Sequence, residues 1–281
     1  MVIKTYGFNL FGKTIPFYGI LFVVGFAIAI AISIPKKRKY KISGVDMTVS
    51  AVFAAIGGVV GAKLLAVITA IPTIIEFTRT QGRFPFAEIL QGGFVFYGGL
   101  IGGALGLFIY CKAFKQPFAQ LADVYAPGTA LGHSFGRVGC LFSGCCFGRE
   151  TTGPFYVIYE TAADTGTPLG VKLLPTQLIE VMYLIVIFAV CEALFWKTEK
   201  SGNTAITYAL SYAAARFILE FFRADAARGG FGGMSTSQYI SFFIFLICYA
   251  VILLRVLRKY GVLKEREPKP RKPKKQKEEN A

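Results

Sequence analysis

Seven long apolar runs, at residues 15–34, 45–71, 93–110, 118–142, 176–196, 204–222 and 237–257, alternate with short polar stretches along the chain. Runs of roughly 18 or more apolar residues are long enough to cross the hydrocarbon core of a bilayer. The pattern therefore predicts an all-α integral membrane protein with about seven transmembrane helices. The polar stretches are not equivalent. Lys36, Lys37, Arg38 and Lys39 follow the first run, Lys112 and Lys115 the third, Lys197 and Lys200 the fifth, and a basic tail the seventh. Cytoplasmic loops carry the excess of lysine and arginine, so the N-terminus is expected outside and the C-terminus in the cytoplasm. The intervening stretches then lie outside. Residues 72–90, broken by Pro72, Gly82 and Pro85, form one; residues 148–174, polar and containing Gly153, Pro154 and Pro168, read as a small extracytoplasmic cap; the glycine-rich residues 228–233 form the third.

Residues 1–257 thus form one polytopic membrane domain, and residues 258–281, a Pro/Lys/Glu mixture with no apolar face, are expected to be a disordered basic cytoplasmic tail. Composition agrees: 54% of residues are hydrophobic and the mean hydropathy is +0.54, too apolar for an ordinary soluble domain. The net charge of +15 is spread in short clusters between apolar runs and in the tail, which argues against a nucleic-acid partner. Residues 1–14 lack the basic region, short apolar core and cleavage site of a signal peptide, so the first run reads as a retained anchor. Gly57, Gly58, Gly61 and Ala62 suit tight helix packing in the second run, and Pro127-Gly128 is expected to interrupt the fourth. Paired internal repeats of the kind transporters carry are not evident in the sequence.

Unusual chemistry is concentrated between residues 131 and 150, which hold the single histidine, His133, together with Arg137 and three of the six cysteines, Cys140, Cys145 and Cys146. On a helix the i,i+4 spacing puts His133 and Arg137 on one face. An arginine at the centre of a membrane helix costs about 2.5–3.5 kcal/mol on insertion scales, and both Arg137 and Arg216 lie inside apolar runs. Glu220 can neutralise Arg216 one turn away, which leaves Arg137 without an acid in its own span, while Arg223 and Lys63 add positive charge. Inward-facing cations in excess can hold an anion entering from the bilayer, and the planar guanidinium fork suits a lipid phosphate. The cysteines admit several readings. With His133 they number enough ligands for zinc, though at a non-standard spacing; they could form a disulfide on the outer face, or simply pack as small side chains. Cys111, Cys191 and Cys248 lie singly in apolar runs and read as buried hydrophobes.

Gly136-Arg137-Val138-Gly139, followed by Arg149, resembles the signature of bacterial prolipoprotein diacylglyceryl transferases, and Phe17-Tyr18-Gly19 resembles that family's opening of span one. Tyr97-Gly98-Gly99-Leu100 is similar to its His-Gly-Gly-Leu, and Pro175-Thr176-Gln177-Leu178-Ile179-Glu180 to its Pro-Ser-Gln-Leu-Tyr-Glu. The segment from Arg216 through Glu220 to Arg223 matches its arginine-to-glutamate segment, and Ser235-Thr236-Ser237-Gln238 resembles its Ser-Met-Gly-Gln. The matches run in order from residue 17 to 238, over essentially the whole membrane portion. The resemblance implies an enzyme of the bacterial plasma membrane that needs no cofactor. It would move the diacylglyceryl group of phosphatidylglycerol onto the lipobox cysteine thiol in the signal peptide of a prolipoprotein, forming a thioether and releasing glycerol phosphate. Its partners would be phosphatidylglycerol, prolipoprotein signal peptides and membrane lipid. It further implies catalytic roles for Tyr97, Arg137, Arg216 and Glu220, with Arg137 on the lipid phosphate, and substrate contacts from Tyr18, His133, Gln177 and Arg223.

Where the family places a histidine that is a candidate base, this chain has Tyr97, and a phenol with an ordinary pKa near 10 needs neighbouring cations to act as one. The family's asparagines and glutamate within the signature correspond to Cys140, Ser143 and Cys145. The phosphate-holding half of the site is thereby kept and the proton-handling half altered. A second class of function stays open beside the transferase: a membrane protein on the same scaffold whose Cys140/Cys145/Cys146 cluster binds metal or exchanges disulfides.

Overall fold

The computed structural model of the chain describes residues 1–10, 13–91, 95–163, 166–224 and 230–261. Its frame is helical: α1 (Phe17–Ser33), α2 (Gly44–Gln81), the short α3 (Phe86–Gln91), α4 (Phe96–Ala113), α5 (Phe118–Ser143), α6 (Thr176–Lys197), α7 (Asn203–Leu219) and α8 (Thr236–Lys259). Among the described residues, six helices are long and apolar enough to cross a membrane: α1, α2, α4, α6, α7 and α8. The remaining long helix, α5, has 26 residues but carries Gln120, Asp123, His133, Ser134 and Arg137. It can afford that polarity because it packs against α1, α4, α6 and α7, and Asp123, His133, Ser134 and Arg137 are all buried. α5 is the inner post of the bundle, and its neighbours supply the lipid-facing surface.

Two expected breaks are absent. Pro127 sits inside a continuous α5, and α2 runs through Pro72 to Gln81, where Gly82 ends it in the left-handed conformation at φ 65°. A proline removes one backbone donor, and membrane helices tolerate this where neighbouring groups satisfy what is freed. At 38 residues α2 is about 57 Å long, well beyond a hydrocarbon core of about 30 Å, so it extends past the apolar layer. The residues expected to lie beyond the second span are therefore largely helical rather than irregular.

Between membrane helices lipid gives no hydrophobic drive, so association rests on close backbone approach. α2 and α4 meet through Gly57 and Gly61 on one side and Gly98 and Gly102 on the other. A Cβ on Gly102 would collide with the Gly57 carbonyl oxygen, and one on Gly98 with that of Gly61.

At one end of the bundle, β1 (Val2–Ile3) pairs in parallel with β4 (Ile158–Tyr159), while β2 (Gly7–Leu10) and β3 (Lys13–Pro16) form a hairpin leading into α1. Ile3, Leu141, Phe147, Val157, Tyr159 and Leu173 form a small apolar core beneath the described cap residues. A second short hairpin, β5 (Gly230–Phe231) with β6 (Met234–Ser235), leads into α8. Ser235 then closes a capping box, its Oγ accepting from the Gln238 N–H while the Gln238 side chain accepts from the Ser235 N–H.

Basic stretches gather at the opposite end. Lys36 meets Glu192 at 2.7 Å, and Lys39 donates to the carbonyls of Phe195 and Thr198. Arg255 donates to Asn203 and to the Ser201 carbonyl. Buried Asp123 accepts from the backbone N–H groups of Gly202 and Ala205, satisfying donors at the start of α7 from a different helix. Burial and the neighbouring Asp123 carboxylate push the Tyr40 phenol up to about 12 there. Residues 262–281 of the basic tail lie outside the described residues, as do residues 228–229 of the glycine-rich loop.

Candidate active site

Arg137 is buried in the last third of α5, and its charge is met from α6 rather than from its own helix. Its Nε lies 3.0 Å from Oε1 of Glu180, which is 1% exposed. The same Nε donates to His133 Nε2 at 3.2 Å, one turn earlier. The Tyr212 hydroxyl, from α7, donates to Glu180 Oε1 at 3.0 Å. With Nε2 accepting, the remaining imidazole proton sits on Nδ1, and His133 Nδ1 is buried without a hydrogen-bond partner. Phe96, from α4, stacks on the imidazole at 3.8 Å between ring centroids, and the Arg137 guanidinium carbon lies 5.1 Å from the Phe96 centroid. An aromatic face against each ring and guanidinium fixes their planes while keeping water away.

The second arginine lies in the last turn of α7. Arg216 is 1% exposed; its Nη2 lies 2.7 Å from Glu220 Oε2 and donates to Ser237 Oγ at 3.2 Å. The Glu220 contact is a close ion pair whose Oε2 lacks hydrogen-bond alignment. Nη1 of Arg216 is buried with no hydrogen-bond partner. Tyr97 stands between the elements: its ring lies 6.3 Å from that of Tyr212, and its hydroxyl pairs with Ser241 of α8 at 2.8 Å. Polar side chains of α4, α5, α6, α7 and α8 thus gather in three hydrogen-bonded or ion-paired groups in an otherwise apolar bundle.

The other expected site residues lie around these groups. Tyr18, 39% exposed, packs its backbone and ring against Gly139, two residues from Arg137, at the outer face of α1. Gln177 is buried, and its Nε2 donates to the Cys145 carbonyl at 2.6 Å and to the Tyr159 hydroxyl at 3.2 Å, so it holds the loop after α5. Arg223 lies where the end of α7 meets the cap, bridged to Gly148. Lys63 lines a groove of about 240 Å³ along α2 and α3, apart from the residues just described. Sequence reasoning quoted Glu180 and Ser237 within motifs without giving them a role, and it gave none to Tyr212, Phe96 and Ser241. The available signal for Glu180 was an acid near the start of an apolar run, facing an arginine that lacked one.

The cysteines converge on the same arginine. The sulfurs of Cys140, Cys145 and Cys146 all lie within 4.8 Å of one another, and Arg137 Nη1 lies 4.0 Å from Cys140 Sγ and 3.7 Å from Cys146 Sγ. Among the described residues none of the three is in a disulfide. Cys146 takes a left-handed conformation at φ 66°, just after Gly144 at φ 79°. Hydrogen bonding to Cys140 and Cys146, followed by burial, holds the Cys145 thiol well above the ordinary cysteine range.

A bundle of apolar helices that holds Arg137 against Glu180 and Arg216 against Glu220, beside a small cap, has the build of a polytopic membrane protein. The family profile described as "Prolipoprotein diacylglyceryl transferase" matches residues 6–254. The chain is 33% identical to a phosphatidylglycerol–prolipoprotein diacylglyceryl transferase of Clostridium tetani over 255 residues, covering 90% of this chain and 98% of that one. It is 35% identical to transferase 2 of that description from Clostridium perfringens over 241 residues, covering 85% and 90% of the two chains. A transferase so described from Dehalococcoides mccartyi is 32% identical over 219 residues, covering 78% and 81%. The chain belongs to the prolipoprotein diacylglyceryl transferase family. It is a transferase of lipoprotein biosynthesis and a multi-pass membrane protein.

Proposed function

We propose that the diacylglyceryl donor is phosphatidylglycerol and the acceptor is the lipobox cysteine thiol of a prolipoprotein signal peptide. The reaction would then form a thioether and release glycerol phosphate. The observation that carries this reading is that both buried arginines keep guanidinium donors that no protein oxygen claims. Glu180 takes Nε of Arg137, and its Nη1 faces only sulfur; Glu220 and Ser237 share Nη2 of Arg216, and its Nη1 has no partner. Unpaired donors in a dry interior are costly, and a phosphate oxygen is the acceptor that fits a cation of this shape.

The acids do not cancel the site. They balance charge so that two arginines can be buried at all, while the free N–H groups remain aimed at where charge grows as the phosphate leaves. His133 Nδ1 adds a neutral donor for a lipid oxygen. Tyr97 completes the aromatic wall and ties α4 to α8, Tyr18 lines the entry from lipid, and Arg223 waits where the headgroup would exit towards the cap. The membrane is the bacterial plasma membrane, with the basic end in the cytoplasm and the N-terminus and cap outside; support comes from the gathering of the basic stretches at one end.

Expression in a strain depleted of its own transferase tests the reading. Restored growth and lipidated prolipoprotein with the wild-type chain, and neither with Arg137→Ala, are the expected results. Failure of the well-expressed wild-type chain to restore lipidation would reject it.

A further inference from the structure

The reaction needs a thiolate, and neither His133 nor Tyr97 is placed to make one. Nε2 of His133 is occupied by Arg137, and the Tyr97 hydroxyl is engaged by Ser241. What lies beside Arg137 instead is the set of three thiols. We propose that Cys140, Cys145 and Cys146 bind one thiophilic divalent ion of the zinc class, whose remaining coordination position takes the acceptor cysteine. This rests on the transferase reading given above, and it adds the group that activates the nucleophile.

Geometry supports the site. Zinc–sulfur bonds of about 2.3 Å place tetrahedral ligand sulfurs about 3.8 Å apart, and the three sulfurs here already lie within 4.8 Å of one another. Small side-chain rotations close the difference. Neighbouring cysteines in an extended chain point to opposite sides; the left-handed turn at Cys146 brings both Cys145 and Cys146 towards Cys140. The loop is held by its own carbonyls, with Thr176 Oγ1 donating to Cys146 O and Gln177 Nε2 to Cys145 O, both at 2.6 Å.

Among the described residues no histidine or carboxylate joins the three sulfurs. Three protein ligands and one open position is the pattern of a catalytic zinc site, whereas structural sites are closed by a fourth. Three thiolates on a divalent ion carry a net negative charge, and Arg137 Nη1, 3.7–4.0 Å from two of the sulfurs, balances it. The same guanidinium then lies between the bound thiolate and the leaving phosphate.

The acceptor thiol binds the ion and loses its proton to solvent, because a coordinating thiol is deprotonated outright. The sulfur lone pair forms the bond to the glycerol carbon, and the carbon–oxygen bond to phosphate breaks with its electron pair going to the phosphate oxygen. The product thioether is a weaker ligand than a thiolate and leaves the ion.

The test uses the purified full chain in detergent. Cobalt(II) or cadmium(II) is titrated in, sulfur-to-metal charge-transfer absorption is followed, and bound metal is counted. One equivalent is expected in the wild type and in a Cys111→Ala/Cys191→Ala/Cys248→Ala control, and none in Cys140→Ser/Cys145→Ser/Cys146→Ser. Since that last variant may fold poorly, stripping the wild type with a chelator provides the second arm. Transfer to a lipobox peptide should fall roughly 10²-fold or more, the usual scale for losing activation of a nucleophile, and return when zinc is restored. Binding that persists without the three cysteines, a disulfide among them in the active enzyme, or full transfer after stripping would overturn the proposal and leave the transferase reading standing. A wild type that binds metal at these cysteines yet transfers nothing would instead remove the transferase reading, and the activation step with it.

Discussion

Glu180→Gln isolates the electrostatic support of Arg137. The substitution keeps the side-chain volume and one carbonyl oxygen but removes the carboxylate that, among the described residues, alone contacts that guanidinium. Glu180 also accepts from Tyr212, so a single oxygen loses its charge under two donors. Removing one partner of a buried pair costs about 3–5 kcal/mol, against 0–1 kcal/mol for a typical surface pair, and 1% exposure places this pair in the first class. Most of that cost is the stranded charge. Arg137→Gln/Glu180→Gln removes the charge as well, so the double variant should be more stable than the sum of the singles by roughly 2–3 kcal/mol. Transfer should not recover with it. Displacing a reacting group by about an ångström costs about 10²-fold, and the double variant has no guanidinium left to place. Thermal inactivation midpoints of the four proteins in one detergent, followed by size exclusion, read the stability cycle; peptide transfer assays read the activity. Additive stabilities would refute the pairing, and a double variant with wild-type transfer would refute the role of the guanidinium.

Arg216→Lys keeps a charge near Glu220 but cannot offer one donor to Glu220 and Ser237 and another to a phosphate, so transfer should drop by tenfold or more at unchanged expression. Tyr97→Phe loses the bond to Ser241, worth about 1 kcal/mol; transfer within about tenfold of wild type is expected, and a 10³-fold loss would make the phenol the base. Gly102→Leu drives a side chain into the Gly57 carbonyl and should abolish recovery of monodisperse protein, whereas Gly136→Ala meets open space and should fold.

The spans were legible because lipid imposes one rule on every exposed residue, and the apolar runs obey it. The fourth run was read as a span interrupted at Pro127-Gly128; it is one continuous helix, α5, whose polar residues are the inside of the bundle. The Arg216–Glu220 pair could be read from i,i+4 spacing within one helix. The Arg137–Glu180 pair could not, since it joins two helices whose facing sides are set by tertiary packing. Ser235 and Gln238 entered as a motif, and the structure gives their spacing a mechanical meaning as a capping box. Pro72 misled because its local chain-breaking tendency was weighed as a stop, whereas α2 continues through it to Gln81. Tyr212 and Phe96 carried no local signal, because an aromatic residue in a membrane helix is unremarked until its neighbours are known.

The central claim, that buried arginines hold the phosphate of the donor lipid while a cysteine thiol displaces it, meets its most direct test in proteoliposomes. The wild-type chain would be reconstituted with phosphatidylglycerol labelled in its headgroup, together with a lipobox peptide. One headgroup glycerol phosphate released for each thioether formed, and neither product with Arg137→Ala, is the predicted result. Peptide modification without release of glycerol phosphate, or equal release from Arg137→Ala, would contradict it.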